Sequence, residues 1–433
     1  MPESVESRIV LPAAPLRGVL RLPGDKSISH RYAMLSSIAE GNSEISGFAS
    51  SADCTSTLNC LSALGIAIER RGSSVSIEGR GLHAMRAPVA ALDAGNSGST
   101  MRMLSGILAG QPFKTRITGD ASLSRRPMKR IIEPLTAMGA HITAAEGSLP
   151  PLEITGGNLS PIHYQPSVAS AQVKTAVLFA GLMTRGATSV FEPVATRNHT
   201  EVALAHMGAS IQCNGGLITV EGPARLRSIQ ARVPGDISSS AFFIAAALLV
   251  PGSKLVIENA GVNPARATVL DVLKNMGGMI RVFNRREENG EPVADIEVCY
   301  SDLEGGEIQT EVIPNLIDEL PIISVIGTQT RRGIWFRGAS ELRVKESDRL
   351  AATAENLRRC GAQAEEFEDG LRIEGGQALR SAEVDSFGDH RIAMAFAIAG
   401  LIAPGGVAIR NAGCVAISFP EFFEMLDEVR VPA

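Results

Sequence analysis

The chain has 433 residues, of which 45% are hydrophobic and 20% charged, with a formal net charge of −5. That length predicts two or three domains, the composition excludes a disordered chain, and the acidic balance excludes a nucleic-acid binder that works through a general basic field. No apolar run is long enough to span a bilayer, the opening MPESVESRIV lacks a signal-peptide pattern, and the six cysteines (54, 60, 213, 299, 360 and 414) form no CxxC pair, so a reduced, cytoplasmic protein without structural zinc or a disulfide framework is expected.

In chain order the first marked stretch is LPGDKSISHR, residues 22–31, which leads into the apolar run AMLSSIAEGNSEISGF. This element, a buried-type helix followed by a short strand, returns as MLSGILAGQPFKTRITGD, AVLFAGLMTRGATSVFEP, FFIAAALLVPGSKLVIENA, IISVIGTQTRRGIWFRGA and AFAIAGLIAPGGVAIRNA. Its aligned strand residues are Ile45, Ile117, Val190, Ile257, Phe336 and Ile409. Between these runs lies a helix stopped by glycine before a strand: SALGIAIE, TAMGAHIT, AHMGASIQ, KNMGGMIR and RRCGAQAE, with Gly65, Gly139, Gly208, Gly277 and Gly361 just past each helix end. A third element is a short alternating strand: SVSIEG, PLEITG, LITVEG, DIEVCY and GLRIEG. Three element types recurring in phase define six units of about 72 residues, each reading strand, apolar helix, strand, amphipathic helix, strand, strand. Helices apolar on every side are expected to be buried.

The tripeptide Pro-Gly-Asp opens the first unit at 23–25 and the fourth at 234–236. It divides the six units into two groups of three. One domain is expected over 23–234 and the other over 1–22 with 235–433, with hinges near 22–24 and 233–236.

Every apolar helix is preceded by small polar residues: Asp25-Lys26-Ser27, Asn96-Ser97-Gly98-Ser99, Ser170-Ala171-Gln172, Asp236-Ile237-Ser238, Asp318-Glu319 and Asp389-His390. N-capping accounts for the Ser, Asn and Asp residues. It does not account for Lys26, Arg31, Arg102 and Arg391, since cations oppose the macrodipole at a helix start. Cations beside free amide N–H groups fit an anion, so converging helix starts would form an anion-attracting cleft. GDASLSRRPMKR adds Arg125, Arg126, Lys129 and Arg130, and ELRVKESDRL adds Arg343, Lys345, Glu346, Asp348 and Arg349. Lys345 and Arg349 are spaced to share one helical face, whereas Arg130, Arg343 and Asp348 read equally as a solvated face. The seven histidines show no metal-ligand spacing, and neither GxxxxGK[ST] nor a strand-linked GxGxxG occurs.

The motifs LPGDKSISHR, DAGNSGSTMR, GDASLSRRPM, ASAQVKTA, IDELPI, LRVKESDRL and GDHRIAMA together resemble the 5-enolpyruvylshikimate-3-phosphate synthase family, in order and across residues 20–425. The resemblance implies an α/β fold, the two-domain inside-out α/β barrel of enolpyruvyl transferases, each domain built of three βαβαββ repeats. It implies transfer of the enolpyruvyl group of phosphoenolpyruvate to the 5-hydroxyl of shikimate 3-phosphate with release of phosphate, in aromatic amino acid biosynthesis, by a monomer without metal or cofactor. By the same resemblance Lys26 touches both substrates, Ser27, Arg31, Ser170, Gln172 and Arg197 hold shikimate 3-phosphate, and Gly98 leaves room for phosphoenolpyruvate. Arg126 and Gln172 contact phosphoenolpyruvate, and Arg349 and Arg391 hold its carboxylate. Asp318, with Lys345 beside it, is the base at the 5-hydroxyl, and Glu346 donates and accepts the proton at the methylene carbon.

The chain departs from part of the family. Ala416-Ile417-Ser418-Phe419-Pro420 lacks a Lys that many members carry before the final Phe-Pro, and Met103 stands where many have Pro. The ASAQVK and TRNHTE segments resemble a second bacterial subtype that lacks this Lys and is often tolerant of glyphosate, while Gly98 is the residue linked to sensitivity. Two rivals are weighed against this reading. The sister UDP-N-acetylglucosamine enolpyruvyl transferase family uses a Cys in the loop matching 119–128, which this chain lacks. A protein that only binds a phosphorylated metabolite would have no use for paired Asp318 and Glu346.

Overall fold

A computed structural model describes residues 7–430; residues 1–6 and 431–433, included above in the first expected domain, lie outside the described residues. The six apolar runs are helices at Lys26–Ser37, Gly98–Ala109, Ala171–Gly181, Ile237–Leu249, Leu320–Gly327 and His390–Gly400, buried over all but a few residues near their starts. Five of them are dominated by apolar and small residues, so enclosure is what satisfies them, while the first also buries Ser29, His30, Arg31, Ser36 and Ser37. Each leads into a strand, and the aligned residues Ile45, Ile117, Val190, Ile257, Phe336 and Ile409 all lie in these strands with at most 1% exposure. The repeat read from the sequence is therefore the repeat of the structure. The second helices, Ala52–Ala63, Lys129–Ala137, His199–His206, Thr268–Asn275 and Arg349–Arg359, end beside Gly65, Gly139, Gly208, Gly277 and Gly361. All five glycines take left-handed φ, the conformation that stops a helix and turns the chain into the next strand.

Each repeat closes into a small sheet. The strand after the buried helix pairs in parallel with one strand and antiparallel with another. The parallel partner is local in the second, third, fifth and sixth repeats. In the first repeat it is Gln230–Arg232, about 190 residues downstream, paired with Glu40–Ser46. In the fourth it is Arg17–Arg21, paired with Lys254–Gly261. The sixth sheet has three strands, its third being Arg8–Val10 from the start of the chain against Val407–Arg410. The two chain passages thus trade leading strands, which is what closes each group of three repeats on itself.

The chain divides into two compact units, each with its own apolar core. The central unit is Gly24–Pro234 with Glu287–Glu291; the terminal unit takes the chain up to Pro23, then Gly235–Arg286, then everything from Pro292. Beyond the two passages at Pro-Gly-Asp, the hairpin Met279–Glu288 and Glu291–Cys299 adds two more that the repeat count does not anticipate. Its tip is fixed by side chains: Asn289 Oδ1 accepts from Arg232 N at 3.0 Å, and Glu291 Oε1 meets His199 Nδ1 at 2.8 Å. In the terminal core, Phe242, Phe243, Phe419, Phe422 and Phe423 pack edge-on or tilted, with centroids 5.1 to 6.1 Å apart.

The two Pro-Gly-Asp turns are built alike but not equally tightly. In the central unit Asp25 N donates to Pro234 O at 2.8 Å; in the terminal unit Asp236 N donates to Pro23 O at 3.0 Å. A Cβ on Gly24 would meet Gly47 O at 1.7 Å, whereas one on Gly235 would meet Asn259 O at 3.1 Å. Backbone cannot yield as a side-chain tip can. Gly24→Ala is therefore expected to cost about 3 kcal/mol or more of stability, and Gly235→Ala about 1 kcal/mol, in urea unfolding. Equal losses would show that the 1.7 Å approach relaxes freely.

Candidate active site

In the central unit three buried helices begin with side-chain caps: Asp25 on Ile28 N, Ser97 on Thr100 N and Ser170 on Val173 N. The cations read from the sequence gather at these starts. Lys26 Nζ lies 2.9 Å from Asp53 Oδ2, and Arg197 Nη1 donates to Ser27 Oγ at 3.5 Å. Arg31, 3% exposed, donates to Thr200 Oγ1 (2.7 Å), Ser27 O (2.8 Å) and Thr175 Oγ1 (3.0 Å). These partners are neutral. Burial pushes the Arg31 guanidinium down to about 10, Glu201 opposes that and Arg197 adds to it. Beneath this group Lys174 is buried between Glu192 (2.7 Å) and Glu201 (2.6 Å), and Glu192 also accepts from Thr196 Oγ1, one residue before Arg197.

A second group surrounds Gly98. Arg126 donates to Asn96 Oδ1 at 2.7 Å and to Ser122 Oγ at 3.0 Å. Arg102 Nη1 donates to Gln172 Oε1 at 2.9 Å, and Gln172 Nε2 donates to Ser99 Oγ at 2.9 Å. A Cβ on Gly98 would sit 2.7 Å from Arg102 Nη1 and 3.6 Å from Arg126 Nη1, so glycine leaves the space beside two guanidiniums open. Arg102 joins Gly98, Arg126 and Gln172 here although its motif role was read only as a cation unexplained by capping.

In the terminal unit Arg349 is the hub. It is 1% exposed and reaches three carboxylates: Asp318 Oδ1 at 3.2 Å, Glu346 Oε2 at 2.6 Å and Asp389 Oδ2 at 2.7 Å. Burial works against its charge, but Asp389, Glu346 and Asp318 outweigh burial and hold it above the ordinary arginine value. Arg391 Nη1 donates to Asp318 O at 2.9 Å, and its Nε lies 3.8 Å from Asp318 Oδ1. Burial pushes the Lys345 ammonium below the ordinary lysine value, Asp318 pulls it back up, and Arg349 adds to the lowering. One guanidinium thus bridges the carboxyl groups of Asp318 and Glu346.

The shared helical face expected for Lys345 and Arg349 is not formed. A 3-10 turn, Ser340–Val344, ends before Lys345, which is extended, and the helix begins only at Arg349. Asp348 enforces this start by capping Ala351 N. Arg343 and Asp348 stay partly exposed, and there Arg343 clamps Asp348 (2.7 Å) and Glu366 (2.9 Å). The thirteen predicted site residues fall into two sets: Lys26, Ser27, Arg31, Gly98, Arg126, Ser170, Gln172 and Arg197 in the central unit, and Asp318, Lys345, Glu346, Arg349 and Arg391 in the terminal unit. Arg266 escaped sequence reading. It stands in NPARAT, two residues before the helix Thr268–Asn275, as Arg197 stands two residues before His199–His206, and its Nη1 lies 3.8 Å from Asp318 Oδ2.

His30 is fully buried behind Lys26, with Nδ1 2.7 Å from Thr57 Oγ1 and no hydrogen-bond partner for Nε2 among the described residues. Burial, then Lys26 and Arg31, lower its pKa well below the ordinary 6.5. The unfolded chain therefore binds a proton that the folded one refuses, and stability falls as pH drops below 6.5 toward the depressed folded value. His30→Gln is expected to flatten the loss of thermal stability between pH 7.5 and 5.5; an unchanged slope would place the titration elsewhere.

The sequence profile of the family described as EPSP synthase (3-phosphoshikimate 1-carboxyvinyltransferase) matches residues 10–426. A 3-phosphoshikimate 1-carboxyvinyltransferase of Solibacter usitatus is 55% identical, covering 97% of this chain and 99% of its own, and one of Koribacter versatilis is 50% identical over 97% and 98%. A solved EPSP synthase from Acinetobacter baumannii superposes with a TM-score of 0.88 at 41% identity, covering 99% and 98% of the two chains. The enolpyruvyl transferase NikO from Streptomyces tendae, at 18% identity, shares the fold with a TM-score of 0.80 over 98% of each chain.

Proposed function

This chain belongs to the EPSP synthase (3-phosphoshikimate 1-carboxyvinyltransferase) family, and from that premise we infer how its two residue sets divide the reaction. It is a transferase that moves the enolpyruvyl group of phosphoenolpyruvate to the 5-hydroxyl of shikimate 3-phosphate and releases phosphate, a step of aromatic amino acid biosynthesis. The observation that carries the assignment of roles is the bridge from Arg349 to Asp318 and Glu346.

In this reading Asp318, with Lys345 beside it, removes the 5-hydroxyl proton as the oxygen attacks the substituted carbon of phosphoenolpyruvate. Glu346 protonates the methylene carbon, then takes a proton back from the resulting methyl group as phosphate leaves. Arg349 and Arg391 bind the phosphoenolpyruvate carboxylate; a carboxylate docking there competes with the internal carboxyls for the same guanidiniums, freeing Glu346 and Asp318 to exchange protons. Lys26 contacts both substrates, and Arg126, Gly98 and Gln172 receive the phosphate end of phosphoenolpyruvate. Ser27, Arg31, Ser170, Gln172 and Arg197 hold shikimate 3-phosphate, supported by the cluster of arginine donors around Ser27 and the Thr175–Thr200 pair. Six free cysteines fit a reducing compartment such as the cytoplasm, and no helix among the described residues is long and apolar enough to cross a membrane.

Asp318→Ala and Glu346→Ala are each expected to lower turnover by about 10²-fold or more without loss of fold, read as phosphate released from mixed shikimate 3-phosphate and phosphoenolpyruvate. Unchanged turnover in either variant removes that residue from the mechanism. Gly98→Ala brings a methyl group to 2.7 Å from Arg102 Nη1. It is expected to raise KM for phosphoenolpyruvate about tenfold while leaving KM for shikimate 3-phosphate in place; equal rises in both would mean a general distortion.

A further inference from the structure

Arg266 and Glu319 lie against Asp318 but have no part in the roles assigned above. Arg266 comes from the segment before the helix Thr268–Asn275, and Glu319 immediately precedes the helix Leu320–Gly327. Both are buried, at 3% and 1% exposure. Arg266 Nη1 lies 3.2 Å from Glu319 Oε1 and 3.8 Å from Asp318 Oδ2, and its Nη2 donates to Ser238 Oγ. Ser238 in turn donates to Glu319 Oε1, which also lies 3.5 Å from Arg391 Nη1. The contacts of Glu319 with Arg266, Ser238 and Arg391 all fall on Oε1, and its Oε2 has no hydrogen-bond partner among the described residues. A buried carboxylate with an idle oxygen is a costly way to fill space that a glutamine would fill as well. Its distinguishing property is charge.

The groups facing Asp318 are Arg266, Arg349 and Arg391, with Lys345 nearby. The acids around them are Glu319 on Arg266 and Arg391, Glu346 and Asp389 on Arg349, and Asp236, 3.8 Å from Arg266. Arg349 and Arg391 are the arginines assigned to the substrate carboxylate, whose negative charge offsets theirs once it is bound. Arg266 is enclosed by Ser238 and Glu319, so it remains the constant cation beside Asp318 through the reaction.

We propose that Arg266 and Glu319 are positioning residues that set the charge environment of Asp318, Arg266 favouring its ionised form and Glu319 tempering that effect. The proposal rests on Asp318 acting as the base. It predicts opposite pH effects from two neutralising substitutions. In Arg266→Gln the carboxyl group loses a facing cation and ionises less readily. The acidic limb of the single-turnover rate, with both substrates saturating, moves up by roughly one pH unit. In Glu319→Gln it loses a nearby anion, and the limb moves down by a smaller amount. Arg266→Lys keeps the charge and returns the limb toward its native position. A fall in plateau rate with both limbs unmoved, or a shift of both in one direction, would overturn the proposal and leave a packing role only. Should Arg266→Gln fail to fold, Glu319→Gln decides by itself, since an unmoved or raised limb sinks the idea. Asp318→Asn separates the two levels: if that variant still turns over, the base assignment fails whatever the limbs do.

Discussion

A helix that is apolar on every face can be wetted only at its ends. That constraint governs this protein. Enclosing Ile237–Leu249 or His390–Gly400 on all sides leaves their first residues as the place where polar chemistry can collect, and the free amide groups there favour capping carboxylates and hydroxyls. Three such starts in each unit carry Lys26, Ser27, Gly98, Ser170, Gln172, Asp318 and Arg391. The sheets, the glycine stops and the strand exchange all serve to keep those helices covered.

The two units use the same scaffold for opposite electrostatics. In the central unit the caps are two serines and one aspartate, and the cations Lys26, Arg31, Arg102, Arg126 and Arg197 meet mainly hydroxyl, amide and carbonyl oxygens. Lys26 also pairs with Asp53 at 2.9 Å. In the terminal unit Arg266, Arg349 and Arg391 are each matched against carboxylates. That balance suits proton transfer, where charge must move without either end state becoming too stable. The same repeat thus carries different helix-opening residues in the two units: Asp25, Ser97 and Ser170 in one, and Asp236, Glu319 and Asp389 in the other.

The period of the fold was legible because it is written redundantly. Ile45 through Ile409 and Gly65 through Gly361 recur in phase, and burial and left-handed φ follow at every copy. The motifs IDELPI and LRVKESDRL marked Asp318 and Arg349, which lie 3.2 Å apart. Side-chain direction was not legible at Lys345, where a four-residue spacing mimics a helix that Asp348 forbids by capping three residues later. Arg266 was invisible because its partners Ser238 and Glu319 lie 28 and 53 residues away, and nothing local marks a contact of that range. The hairpin tip at Asn289 and Glu291 was hidden for the same reason: its anchors, Arg232 and His199, belong to other repeats.

The traded strands also bear on how the chain is made. The sheet around Glu40–Ser46 lacks its parallel edge until Gln230–Arg232 has emerged from the ribosome, after which every repeat of the central unit has its leading strand. The other unit must hold Arg17–Arg21 unpaired until Lys254–Gly261 appears, and Arg8–Val10 until Val407–Arg410 does. Synthesis therefore completes one lobe's sheets early, while the opening segment waits as a loose tail, nearly the length of the polypeptide, for its last partner.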